Sequence, residues 1–249
     1  MCHKPEMPFA TVDGVDLYYE RHGDGGEPLV LVHGFTGDVT DWRHQIAEFS
    51  RTHRVLMHDN RGHGRSSAPA EPEAFSIERM AEDALAIAGH AGFERFHLLG
   101  HSMGGAIAQE MALRAPERLL SLTLEDTSYH FALQQLGGPR QPPQLSPERM
   151  EEVTARLSRM TPEVLRACWK ALAGWQGIEH RAGAIRTPTL ILYGEHDSTG
   201  LVEGSRRLAE LIRGSELCEI PGATHSPQEE RPEAFNAALR GFLERHQSM

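Results

Sequence analysis

Phe96-His97-Leu98-Leu99-Gly100-His101-Ser102-Met103-Gly104-Gly105 is the stretch on which the fold of this chain turns. Residues 96–99 have the character of a buried strand, and from Met103 a small-residue sequence becomes helical. Between them, Gly-x-Ser-x-Gly makes a tight strand-to-helix turn. Small residues at positions 100 and 104 permit it, and Ser102 is pushed into a strained, exposed conformation. Its hydroxyl then sits at the positive N-terminal end of the following helix, where developing negative charge is stabilised. A serine so placed points to covalent catalysis. The plain alternative is a glycine-rich turn without chemistry, so the surrounding chain has to supply the partners.

Short, continuous apolar runs recur outward from this turn at 28–33, 54–58, 96–99, 119–124, 189–193 and 216–220. Runs of that kind are strands buried on both faces, as in a parallel sheet. Near the start, Asp13-Gly14 joins two strand-like segments, the second at 16–20, as a hairpin. Helical patterns lie between the strands. Ser76 caps one that carries Ile77, Met80, Ala81, Ala84, Leu85 and Ala88 on one face. Others span 103–114, 201–212 and 232–243, the last with Pro232 at its start. Strands alternating with helices predict an α/β protein with a doubly wound, mostly parallel sheet. The alternation breaks from about 128 to 186, where no strand candidate occurs. Gly137-Gly138-Pro139 and Gln141-Pro142-Pro143-Gln144 precede helical segments at 147–160 and 162–173. Residues 128–186 are therefore expected to form a short helical cap insertion over the C-terminal edge of the sheet. Residues 1–127 and 187–249 would form the core.

A chain of 249 residues can bury a substantial core as one large domain. Its formal charge of −10 argues against a general binder of nucleic acid or anionic membranes, which would present a basic face. Cys2, Cys168 and Cys218 are far apart and odd in number, the pattern of neither a disulfide framework nor a zinc site. Met1-Cys2-His3-Lys4-Pro5-Glu6 lacks the apolar run of a signal peptide, and no stretch approaches a membrane span in length. A reducing cytoplasm is the expected location.

Four features fall in a telling order. They are His33-Gly34-Phe35, Asp59-Asn60-Arg61-Gly62-His63-Gly64-Arg65-Ser66, the turn at Ser102, and Gly194-Glu195-His196-Asp197 followed by Gly222-Ala223-Thr224-His225. With these motifs the chain resembles the α/β-hydrolase superfamily over nearly its whole length, which implies that fold and a catalytic triad. A serine needs a base within hydrogen-bond reach before its proton can leave. Among 15 histidines, His225 follows the last strand at the sheet's C-terminal edge, where sites of open α/β sheets gather. Its alternative is a surface loop histidine, against which stands the chain order Ser, acid, His. His101 adjoins the serine, but its side chain should point away from the hydroxyl. Asp197, delivered to the same edge by the strand before it, is the favoured acid to orient the imidazole. Glu125 and Asp126, at the end of the preceding strand, are its rivals, because some relatives carry their acid there. The oxyanion would meet the backbone N–H groups of Phe35 and Met103. His33 is expected to brace its loop.

Gly62-His63-Gly64 lacks the third glycine of a dinucleotide fingerprint, and relatives use this segment as a structural turn. No tight metal-ligand spacing occurs, and neither a metal nor another cofactor is expected. Phe35, Phe131, Trp169 and Trp175, with Leu165, Leu172 and Met160, could line an apolar pocket. For most of them, packing the insertion onto the sheet is the more ordinary role. The resemblance implies a serine hydrolase of small to medium carboxylic esters, or a lactonase. A carbon–carbon bond hydrolase of dienoic ring-cleavage products is the alternative, with Arg61, Arg166 or Arg181 to meet a substrate carboxylate. A cofactor-free haloperoxidase or perhydrolase activity could accompany any of these. Serine at position 102 disfavours dehalogenation and epoxide hydrolysis, in which relatives use aspartate. A non-catalytic receptor on the same fold is the reading from another class. The expected partner is a small-molecule ester or related acyl compound, not nucleic acid or membrane.

Overall fold

Strand-forming residues deliver eight strands: β1 (Phe9–Val12), β2 (Val15–His22), β3 (Pro28–Val32), β4 (Arg54–His58), β5 (Phe96–His101), β6 (Leu119–Glu125), β7 (Thr189–Gly194) and β8 (Glu216–Ile220). In the computed structural model, which describes residues 9–131 and 144–247, they form one sheet in the order β1-β2-β4-β3-β5-β6-β7-β8. Cys2 and the rest of the N-terminal sequence at 1–8, and the glycine- and proline-rich stretch at 137–143, lie outside those residues. The first hairpin turns at Asp13 and Gly14, both with positive φ (45° and 76°), a turn whose twist suits two antiparallel strands. β2 meets β4 antiparallel, and every later pairing is parallel.

Alternation along the strands divides the core between the two faces of the sheet. Val30 and Val32 pack with the helices α2 (Ile77–His90) and α3 (Met103–Arg114) on one side. Leu29 and Leu31 pack on the other with Trp42, Phe49, Phe235 and Phe242, from α1 (Arg43–Phe49) and its approach and from α8 (Pro232–Arg245). The sequence pattern passed over α1, because a helix of two turns that buries only Gln45 and Phe49 offers too few periodic positions. Between β6 and β7 lie α4 (Pro147–Leu157) and α5 (Pro162–Gly174), and no strand occurs there among the described residues. Ser146 and Thr161 cap these two helices, each with proline in the first turn. After β7 and β8 come α6 (Thr199–Leu211) and the short α7 (Pro227–Glu230).

Register fixes where the loops emerge. Val32 pairs with Gly100, Gly100 with Leu124, and Leu124 with Ile191, so these residues form one row across the parallel strands. The segments that follow therefore leave the sheet at a common edge. They carry Phe35, Ser102, Asp126 and Asp197, and the loop after β8 adds His225. Sites of open α/β sheets form at that edge.

Helix α3 approaches the sheet closely enough to exclude side chains at two points. A Cβ on Gly100 would lie 2.2 Å from the Gly104 carbonyl oxygen, and one on Gly104 would lie 2.0 Å from that of Val32. Both obstacles are backbone, which cannot swing aside. Gly100→Ala should lower the free energy of unfolding by about 1–3 kcal/mol, the scale of overpacking in a close-fitting core. A lowered urea midpoint with unchanged slope would register it.

Candidate active site

Ser102 sits between β5 and α3 with φ 54° and ψ −116°, a conformation that L residues rarely adopt. Its backbone is held on both sides. The Ser102 N–H donates to the Glu125 carbonyl (2.8 Å), and the Thr127 hydroxyl donates to the Ser102 carbonyl (2.8 Å). The side chain thus faces the cavity at the sheet edge.

His225 reaches it from the loop after β8. Its Nε2 lies 3.0 Å from Ser102 Oγ and its Nδ1 2.8 Å from Asp197 Oδ2. These contacts assign the neutral tautomer, with Nδ1–H donating to Asp197 and Nε2 accepting from the serine hydroxyl. Burial alone would raise the Asp197 carboxyl. The adjoining imidazole, with hydrogen bonds from His225 and the Ser198 N–H, instead brings it down to about 2. Asp197 Oδ1 accepts from that N–H at 2.6 Å. The loop bearing His225 is tied by Glu230, whose carboxylate accepts from the Thr224 N–H (2.6 Å) and hydroxyl (2.5 Å). His101 turns away from Ser102 and its Nε2 meets the His225 carbonyl at 2.7 Å.

The rival acids are engaged differently. Glu125 is buried and accepts from the Gln228 N–H at the start of α7 (3.3 Å), and burial pushes its carboxyl well above the usual range. Asp126 accepts from the Gly194 N–H (2.9 Å). One oxygen of Asp126, one of Asp197 and a ring nitrogen of His225 lie within 4.8 Å of one another. That is close enough for a cation, but the donor-to-acceptor contact between His225 and Asp197 already satisfies the pair.

Gly34 and Phe35, after β3, stand beside the serine; a Cβ on Gly34 would lie 3.1 Å from Ser102 Cβ. Thr36 next to them has φ 62°, a second strained residue at the cavity. His33 secures the loop by accepting from the Asn60 N–H at Nε2 (2.9 Å), with Nδ1 2.8 Å from the Gly34 carbonyl. Burial holds its imidazole neutral, well below the usual histidine range. Met103 opens α3 with its side chain in the core, and N–H groups of a first helical turn have no partner within the helix. The 59–66 segment is a structural turn: Asp59 accepts from the Val39 and Arg65 N–H groups, each at 2.8 Å, while Gly62 and Gly64 take positive φ.

The cavity at Ser102 measures about 240 Å³. Phe35 lines it, but its other apolar walls are Leu145, Met150 and Val153, and this corrects the expected pocket. Phe131 and Trp175 are buried against each other, their ring centroids 6.2 Å apart, and the Trp175 N–H donates to buried Glu110 (2.9 Å). Trp169 is partly exposed and leans on Phe35, centroid to centroid 5.9 Å. Leu172 belongs to the core, Leu165 and Met160 are not in the cavity wall, and α5 packs where α4 lines. None of the arginines considered for a substrate carboxylate faces the cavity. Arg61 forks onto Asp83 (both contacts 2.6 Å), Arg166 pairs with Glu163, and Arg181 pairs with Glu110.

Sequence reasoning missed a buried ionic seam between α4 and the core. Arg149 Nη2 lies 2.7 Å from Asp41 and its fork meets Glu229 at 2.6 Å, while Arg156 Nη1 lies 2.5 Å from Asp41 and 3.1 Å from Asp38. Asp41, Arg156 and Glu229 line the cavity itself. A second, larger cavity of about 570 Å³ shares Arg156 but reaches neither Ser102 nor His225. The seven-residue spacing of Arg149 and Arg156 was the available signal, since it sets both on one helix face.

Comparison with known proteins follows this geometry. Residues 27–167 match the family model described as alpha/beta hydrolase fold, more than half of the chain. The chain belongs to the α/β-hydrolase family. RutD of Azorhizobium caulinodans, named provisionally as a carbamate hydrolase, is 32% identical over 95% of this chain and 98% of its own length. The 3-oxoadipate enol-lactonase 2 of Acinetobacter baylyi is 28% identical over 94% of this chain and 96% of its own. Among solved structures, Est816, described as an N-acyl homoserine lactone degrading enzyme, has a TM-score of 0.82 at 30% identity, covering 94% of this chain and all of its own. These matches support hydrolase activity on small molecules. No helix among the described residues is long and apolar enough to cross a membrane.

The seam beside the cavity yields a stability test. Burial lifts Asp41 to about 6 against the pull of Arg156, with the Glu229 charge adding to the rise. Arg149→Ala would leave Asp41 and Glu229 short of a buried counter-ion, at a cost of about 3–5 kcal/mol near neutral pH. A raised carboxyl binds its proton more tightly in the folded state, so lowering the pH through 6 neutralises Asp41 and shrinks the deficit. Denaturation of both proteins at pH 8 and pH 5 should show the larger gap at pH 8.

Proposed function

We propose that this protein is a serine hydrolase cleaving small to medium carboxylic esters, lactones included, through an acyl-enzyme on Ser102. The observation that carries the proposal is the unbroken hydrogen-bonded path from Ser102 Oγ through His225 to Asp197. His225 Nε2 takes the hydroxyl proton as Oγ attacks the acyl carbon, and Asp197 stabilises the imidazolium that results. The N–H groups of Phe35 and Met103 receive the oxyanion at the positive end of α3. The protonated imidazole then gives its proton to the leaving alcohol, and water repeats the cycle on the acyl-enzyme. Neither a metal nor another cofactor takes part in this scheme.

Residues 128–186 act in this reading as a cap, with 1–127 and 187–249 as the core. Its support is that Leu145, Met150, Val153 and Arg156 wall the cavity opposite the serine. A space of about 240 Å³ suits a short acyl or lactone group. Lactones are included because relatives named as lactone-cleaving enzymes align over nearly the whole chain. Carbon–carbon cleavage of dienoates is less well supported, since Arg61, Arg166 and Arg181 are committed to carboxylates elsewhere.

A fluorophosphonate should label the folded protein on Ser102, as read by peptide mass spectrometry, and Ser102→Ala should abolish both labelling and turnover. Asp197→Asn should lower kcat by about 10⁴-fold on a short p-nitrophenyl ester, the loss seen when a triad imidazole is held in the wrong tautomer. An ester, lactone and dienoate panel assigns the reaction: dienoate cleavage without ester or lactone turnover would overturn the proposal.

A further inference from the structure

We propose that Asp126 is a positioning residue, a protonated carboxylic acid whose Oδ2–H donates to Asp197 and thereby steers His225. The inference rests on the triad reading above and adds a fourth member to it.

The geometry starts at the backbone. Asp126 follows β6 with φ 41°, a left-handed conformation at a fully buried position. Its N–H donates to the Leu192 carbonyl (2.9 Å) and its Oδ1 accepts from the Gly194 N–H (2.9 Å), so main chain and side chain are both clamped to β7, which delivers Asp197. Clamped in this way, the carboxyl group stands with Asp197 and His225 inside the 4.8 Å cluster. Asp126 Oδ2 meets no donor from the protein. Two ionised carboxylates have nothing to donate to each other, and their repulsion in a buried site is severe. One proton between them resolves both problems.

Which oxygen carries that proton follows from the other contacts. Asp197 accepts from His225 Nδ1–H and from the Ser198 N–H, two donors that favour its anion. Asp126 has one donor, the Gly194 N–H, and faces two acidic neighbours, Asp197 and Glu125. Burial and those neighbours push its carboxyl well above the usual range. The titratable groups around it are thus Asp197, Glu125 and His225. A third donor on Asp197 fixes the plane of the carboxylate that receives His225 Nδ1–H. It also spreads the negative charge that faces the imidazole.

Two substitutions separate this role from the alternatives. Asp126→Asn keeps an acceptor for the Gly194 N–H, supplies an amide donor to Asp197, and tolerates the left-handed backbone. It should retain kcat within a few fold. Asp126→Gly keeps the backbone but removes the donor, and should lower kcat about ten- to a hundredfold with little change in KM, the scale of a hydrogen bond to a charged group. In that variant the less solvated Asp197 anion holds the imidazolium more strongly, so the acid limb of kcat/KM should move to higher pH. A purely structural role would lower stability without moving that limb. Equal losses in the two variants, or no loss in either, would overturn the proposal. So would a loss in Asp126→Asn as large as in Asp197→Asn, which would make Asp126 the orienting anion. If the glycine variant does not fold, the asparagine variant alone decides on that last criterion. Activity surviving in Ser102→Ala would overturn the triad reading itself, an outcome distinct from all of these.

Discussion

Close approach of α3 to the sheet is the constraint on which the rest of the molecule depends. Gly100 and Gly104 let backbone touch backbone, and in the turn between them Ser102 takes a positive φ. The strain is carried by neighbouring contacts: the Glu125 carbonyl takes the serine N–H, and the Thr127 hydroxyl meets its carbonyl. Both partners come from the end of β6 and the residues just past it. Ser102 is therefore locked to the adjacent strand and its own flexibility contributes little to its position.

Loops at the same edge are held by a shared device, a buried carboxylate that accepts main-chain N–H groups. Asp59 ties the turn after β4 to the segment entering α1, Glu230 ties the His225 loop, Glu125 meets the start of α7, and Asp126 clamps the end of β7. Such hydrogen bonds satisfy donors that a buried loop would otherwise strand. Histidines buried beside them serve in neutral form. Burial lowers His33, His58 and His63 below the usual imidazole range, the last two to about 4, so they brace the floor of the site without adding charge to it.

The wall of the cavity is built differently. The cavity wall draws on Leu145, on α4 and on the segments that carry Asp41 and Glu229, and α4 is held by arginine forks on buried acids. Charge and apolar surface alternate in that wall: Met150 and Val153 stand beside Arg156, Asp41 and Glu229. In a cavity of this mixed kind an unmatched polar group costs more than a misplaced methylene.

Local chemistry was legible in the sequence wherever it is carried by a few adjacent residues. The tight turn at 100–104, the Asp13-Gly14 hairpin, the cap at Ser76 and the apolar strands each follow from steric and hydrogen-bonding rules that act within a few positions. The order of Ser102, Asp197 and His225 also implied a common edge, since parallel strands release their loops on one side. What only the tertiary structure decided are the contacts between segments far apart in the chain. Phe131 and Trp175 look the same in a sequence whether they line a pocket or seal a core; in the fold they are buried against each other, and the Trp175 N–H meets buried Glu110. Arg149 and Arg156 show one helix face, but not that the facing acids are Asp38, Asp41 and Glu229, 80 to 118 residues away in sequence. Nor could the sequence bring Asp126 beside Asp197, because that proximity depends on the register between β6 and β7. Pairing across a sheet is a global solution to burying its faces, and no single segment encodes it.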